Sequence, residues 1–425
     1  MGYLLLMMSI YFFIKNDKKK LFIILLFSIF ALPNNAYIKE SLLMNVFHID
    51  VMYYIIFILL ALEVIKKIKS QSVNINPTDI FFSMFILYFC VYALIGISNR
   101  NVFFYEDVKT YLTILLMYLV IRTSVKKESD VSFFINTIIF MSVIYSLSII
   151  IINSFFSDSL NLIYGERLSA WWAGTERIAF GNTSFLLLTS SLLYYKTVSK
   201  DYNFRIYSLL ALIVNSYAIL LSQNRTLIIL SVVSIFMIQL YIVIKIIKMR
   251  QIKLSEILFT MCIFFFLSIF LVMSLDNLFV NNNFIEDLRL RFTTNLNTID
   301  VRSNGNGVAW ERIKSNKIGE GVGAPLTAYS SDWKYAFEGN FIDNTFMTLG
   351  VKFGIVGLLL FIYFMINSVI NLYLYYKKNR DGIFMVLFIC YGLSLILVAY
   401  MNAQIIYTTS LSFIFLLFLS LKNVK

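Results

Sequence analysis

Long runs of Leu, Ile, Phe, Val and Met, broken by short clusters of Lys and Arg, recur along almost the whole chain. Runs near the roughly 20 residues needed to cross a bilayer fall at 3–14, 21–33, 51–65, 79–98, 108–122, 131–153 and 178–195, then at 206–221, 227–244, 256–275, 354–376, 383–400 and 404–420. The first is short for a crossing. None alternates apolar and polar residues with period two, and in lipid every backbone amide must be satisfied within the chain, so the pattern predicts helices rather than a barrel. The expected fold is all-α, a polytopic transmembrane helix bundle of about 12–14 spans with a large extracytoplasmic loop.

Charge sets the orientation of these spans. Alternate connections carry Lys15, Lys18, Lys19 and Lys20; Lys66, Lys67 and Lys69; Arg122, Lys126 and Lys127; Lys196, Lys200 and Arg205; Lys245, Lys248, Arg250 and Lys253; Lys377, Lys378 and Arg380; and Lys422 and Lys425. Short loops rich in Lys and Arg stay in the cytoplasm. The N-terminus then faces outward and the C-terminus inward. The chain divides into N-terminal helices (1–153), a small outer loop (154–177), central helices (178–275), a large outer loop with short helices (276–345) and C-terminal helices (346–425). The expected location is the cytoplasmic (inner) membrane, with any site on its outer face.

Composition agrees with this class: 59% of residues are hydrophobic, 14% are charged and only 3 are proline. The net charge of +12 mostly reflects topology, so nucleic acid is not an expected partner. The positive cluster follows the first apolar run instead of preceding it, which argues against a cleavable signal peptide. Cys90, Cys262 and Cys390 all fall inside predicted spans without metal-ligand spacing, as small packing residues do. With His48 the single histidine, a zinc-type centre is not expected. No Walker loop or dinucleotide-binding glycine pattern occurs, and no cofactor is expected.

Chemistry is therefore sought where the apolar pattern lapses. The stretch 275–345 holds Arg289, Arg291, Arg302, Arg312, Asp332, Glu338 and Asp343. Within it, WERIKSNKIGEGVG (310–323) reads as a short helix around 311–317 followed by Gly319, Gly321 and Gly323, which let backbone amides approach an anion or simply turn the chain. Asp343, followed by Asn344, precedes a helical stretch that re-enters the membrane through Gly354 and Gly357; it reads either as a helix cap or as a working carboxylate. The smaller outer loop brings Arg167, Trp171, Trp172, Glu176 and Arg177 to the surface. The two Trp suit either the interfacial belt or stacking on sugars, and the two Arg either snorkelling or contact with an anionic headgroup. Arg225, in LLSQNRTLIIL, lies so close to hydrocarbon that it needs an anionic partner or an anchor at the headgroups.

Three of these pieces resemble the O-antigen polymerase and ligase superfamily of bacterial envelopes. SQNRT around Arg225 resembles a Ser-x-Ser-Arg-Thr turn that opens a span; ERIKSNKIGEGVG resembles a segment ending in Gly-x-Gly; and IDNTFMTLGVKFGIVGLLLF resembles a His-Asn or Asp-Asn start followed by a Gly-x-x-Gly entry into the next span. Ligases of the family look as though they use histidine where this chain has Asp343. The polymerase branch is the better resemblance, with an acidic residue before Asn and an Arg-x10-Gly spacing from Arg312 to Gly323; eleven positions after Arg167 the chain has Ile178 instead of Gly. The resemblance implies a Wzy-type glycosyltransferase that moves a growing glycan from a polyprenyl-pyrophosphate carrier to the non-reducing end of a lipid-linked repeat unit, inverting and without metal. It implies Asp343 as base, with Glu338 its substitute, and Arg225 and Arg312 as catalytic charges. Arg167, Arg177, Arg302, Gly323, Glu338 and Asn344 become substrate contacts. The implied partners are the lipid-linked oligosaccharide, the bilayer, a chain-length regulator and a flippase. A ligase-like transferase, a lipid-linked oligosaccharide flippase and a non-catalytic scaffold are the rival expectations.

Overall fold

A computed structural model describes residues 1–32, 42–46, 49–70, 77–155, 181–199, 205–222, 224–248, 297–329, 336–342, 344–401 and 408–424. Thirteen α-helices occupy most of them: α1 (Gly2–Ile14), α2 (Lys18–Leu26), α3 (Val51–Ser70), α4 (Pro77–Ser98), α5 (Phe104–Ser124), α6 (Glu128–Phe155), α7 (Leu186–Val198), α8 (Arg205–Leu221), α9 (Arg225–Lys248), α10 (Asn297–Ser315), α11 (Thr345–Asn379), α12 (Gly382–Met401) and α13 (Thr409–Ser420). Two small antiparallel pairs accompany them. β1 (Asn45–Val46) pairs with β2 (Ile49–Asp50), and β3 (Leu326–Tyr329) pairs with β4 (Ala336–Gly339), setting Leu326 opposite Gly339 and Thr327 opposite Glu338.

The fold is thus all-α, as the apolar runs predict. Among the described residues, three helices are long and apolar enough to cross a membrane, over Glu128–Ile152, Thr226–Lys245 and Thr345–Asn379, while the apolar stretches of α1, α3, α4, α8, α12 and α13 are shorter. The expected span at 256–275 lies outside the described residues. The helix expected around 311–317 is longer than the sequence implied, extending back to Asn297 as α10. It includes Gly305 and Gly307, poor helix formers, and packs beside β3 and α11.

Aromatic edge-to-face pairs hold the centre of the bundle. Phe30 packs against Phe185 and Phe413, and Phe22 against Phe134, all fully or almost fully buried. Large apolar side chains also cover the outside, among them Leu4, Leu87, Leu94, Phe140, Phe236 and Leu359.

The two ends of the bundle differ in chemistry. At one end the Lys- and Arg-rich connections meet. Lys18 pairs with Glu63, Arg122 grips Asp79 with two hydrogen bonds of 2.7 Å, Lys378 lies 3.9 Å from Glu128, and Gly382 packs against the Tyr195 hydroxyl. At the other end the Gly2 amide donates to the Leu43 carbonyl at 2.8 Å, and the α4–α5 connection meets the segment after α10. Each of these contacts joins connections that the charge pattern assigns to the same side.

Candidate functional site

The most unusual backbone in the described residues is where α11 breaks. Gly354 has φ 66° and ψ −170°, outside helical geometry, and divides α11 into a short leg before it and a long apolar leg after it. A break frees carbonyls on one side and amides on the other, and buried groups of this kind must find partners. The segment Lys317–Gly323 supplies them. The Glu320 amide donates to the Val351 carbonyl and the Gly321 amide to the Lys352 carbonyl, both at 2.9 Å, while the Ile355 amide donates to the Lys317 carbonyl at 3.0 Å. From α4, the Tyr88 hydroxyl donates to the Phe353 carbonyl at 2.8 Å and the Tyr92 hydroxyl to the Ile318 carbonyl. The segment lies between α4, α5 and the gap in α11.

Glycine makes this insertion fit. Gly319, Gly321 and Gly323 have φ of 100°, 91° and 81°, and a Cβ at each would meet backbone of Gly354, Gly96 and Phe104 respectively. The close backbone approach read from these glycines is therefore real, but it is an approach to protein. Every amide from Glu320 to Ala324 is used internally: Val322 donates to the Tyr92 carbonyl, Gly323 to an Asp107 carboxylate oxygen at 2.8 Å, and Ala324 to the Gly321 carbonyl. Among the described residues, the one anion that these amides meet is the protein's own Asp107 carboxylate.

Beneath it lies a completely buried ion pair. Lys352, on the short leg of α11, pairs with Asp107 at the start of α5; both side chains have 0% exposure. Lys352 also donates to the Asn340 carbonyl, so one ammonium group joins α5, α11 and the chain returning from β4. Asn99 and Asn101 add bonds to the carbonyls of Glu320 and Val322. Sequence reasoning missed Asp107, Lys352 and both tyrosines. The available signal was Lys352 itself, a lone cation in the apolar run GVKFGIVG, which requires an anionic partner.

Arg312 stands on the last turn of α10, above the inserted segment. Its Nε donates to Glu320 Oε1 at 2.8 Å, its Nη2 to Glu320 Oε2, and its Nη1 to the Pro325 carbonyl at 2.7 Å. The pair stays about a quarter exposed, 26% for Arg312 and 28% for Glu320, so the guanidinium is held by three hydrogen bonds on a side chain that solvent still reaches.

The other expected site residues fall as follows. Asn344 is the N-cap of α11, its side chain accepting from the Met347 amide at 3.2 Å, and it is 1% exposed. The cap that the sequence offered to Asp343 thus belongs to its neighbour. Asp343, Arg167 and Arg177 lie outside the described residues. Arg225 opens α9 and Arg302 lies in α10, both described in backbone only; beside Arg225, Asn224 accepts from the Leu227 amide at 3.3 Å, an N-cap contact. Glu338 is exposed on β4, and Gly323 is buried. Arg312, Gly323 and Asn344 are therefore gathered around the broken helix at the end of the bundle away from the lysine-rich connections.

No protein-family model matches this chain, and comparison with curated proteins finds no similar sequence.

Proposed function

We propose that the chain is a polytopic membrane protein, oriented with its Lys-rich connections in the cytoplasm, that polymerises polyprenyl-pyrophosphate-linked oligosaccharide repeat units on the outer face. The observation that carries this reading is Arg312: a guanidinium held by two partners, at the end of an apolar helix bundle opposite the basic connections. The positive-inside rule makes that end the outer one. Extensive apolar side chains on the outside of the bundle support contact with lipid.

The chemistry follows from an activated, lipid-linked donor. An acceptor hydroxyl attacks the anomeric carbon of the donor sugar; the new C–O bond forms as the bond to the pyrophosphate oxygen breaks, and inversion results from single displacement. Negative charge grows on the departing polyprenyl pyrophosphate. A fixed arginine in a partly shielded site stabilises that charge more in the transition state than in the ground state. Arg312 has this role, with Arg225 as the second charge and Arg167, Arg177 and Arg302 in contact with the rest of the substrate. Asp343, next to the cap residue Asn344, takes the proton from the acceptor hydroxyl, with Glu338 as its substitute. No nucleotide is consumed.

Deletion of the gene followed by gel analysis of surface glycan tests the reading. Loss of the long polymer with single repeat units still displayed supports a polymerase. Loss of all repeat units points to a flippase, and an unchanged ladder contradicts both.

A further inference from the structure

We propose that Glu320 is a positioning residue that turns Arg312 into a rigid two-donor fork for one phosphoryl group. A guanidinium has five N–H donors. Among the described residues, Glu320 engages two of them, on Nε and Nη2, and the Pro325 carbonyl engages a third, on Nη1. Among the described residues one N–H on each terminal nitrogen is then unused, and the side chain remains 26% exposed. A planar guanidinium that keeps an N–H on each terminal nitrogen offers donors to two oxygens of a phosphoryl group, which the point charge of Lys does not reproduce.

The fork is held from both sides by rigid elements. Arg312 belongs to α10, whose Ile313 packs on Gly350 of α11. Glu320 belongs to the inserted segment, its own amide bonded to Val351 and its carbonyl to Asn99 and Asn101. Neither residue can turn away without disturbing the helix break. Charge also matters: Glu320 neutralises Arg312 at rest, so an arriving anion meets oriented donors rather than a strong free cation, and recognition depends on where the fork points.

This inference rests on the pyrophosphate-bearing substrate proposed above, and a binding measurement separates the two. The purified full-length protein in detergent is titrated with inorganic pyrophosphate in buffer free of divalent cations, with acetate as a control, and its thermal stability is followed. Wild type is expected to gain stability with pyrophosphate and not with acetate. Glu320→Ala, which frees the guanidinium, is expected to weaken half-saturation about tenfold or more, the scale of a lost charge-assisted contact. Glu320→Asp keeps a carboxylate and should retain part of the response.

The decisive variant exchanges the pair, Arg312→Glu with Glu320→Arg. It restores an ion pair but moves the fork to a different backbone. A merely structural pair predicts that the exchange recovers both folded yield and the pyrophosphate response; a positioned fork predicts recovery of yield alone. Recovery of the response, its absence in wild type, or an equal response to acetate overturns the proposal. If the response follows the proposal while gene deletion leaves glycan length unchanged, the fork stands and the polymerase reading falls.

Discussion

Lys352 lies in a sequence context where a charge is costly, and its partner is 245 residues away. With both Lys352 and Asp107 at 0% exposure, removal of either leaves an uncompensated buried charge, which costs about 3–5 kcal/mol. Lys352→Met and Asp107→Asn are therefore expected to lower stability by that order in detergent unfolding. The exposed Lys314–Glu311 pair serves as the control, and Glu311→Gln should change stability by less than about 1 kcal/mol. Similar losses for buried and exposed variants would contradict the burial argument. At Asn344, capping predicts that Asn344→Ala costs about 1 kcal/mol while Asn344→Ser is tolerated. Because the cap is Asn344, Asp343→Asn becomes a cleaner test of the base: polymer is expected to be lost with the protein at normal abundance, and wild-type polymer length would move the base to Glu338.

At the scale of elements, the broken α11 and the segment inserted in its gap form one structure. A Cβ at Gly354 would meet the Ile318 carbonyl, and one at Gly319 would meet the Gly354 amide, so Gly354→Ala and Gly319→Ala are expected to destabilise and to expose the Ile355 amide to hydrogen exchange. Gly307 lies within α10 with open space where a Cβ would stand, so Gly307→Ala should instead stabilise by roughly 0.5–1 kcal/mol. Equal effects at the three positions would show that the insertion does not hold the break. The sequence showed that something happens here, since GEGVG and GVKFG both interrupt apolar or helical pattern. It did not show that the two interruptions fit each other. Gly323 reaches Asp107 across 216 residues, and such pairings leave no mark in local periodicity or spacing. Arg312 was legible as a basic residue before a glycine turn, whereas nothing in the local pattern singled out Glu320.

For the whole molecule, the alternation of apolar runs and basic connections marked most of the helices found among the described residues, and with them the all-α class. Contacts such as Arg122–Asp79 and Lys378–Glu128 tie basic connections together, while those around Glu320 tie the polar segment to the α4–α5 turn. Reporter fusions at Asn304 are expected to read outside, and those at Lys127 and Lys378 inside. A cytoplasmic reading at Asn304 would remove the outer-face site. The central claim is that this chain itself joins repeat units, and reconstitution tests it most directly. The purified protein in proteoliposomes is given polyprenyl-pyrophosphate-linked single repeats, with no nucleotide sugar present. The account predicts a ladder of lengthening glycan with one polyprenyl pyrophosphate released per new linkage, and its loss in Arg312→Ala; unchanged single repeats, whether or not they cross the membrane, would contradict it.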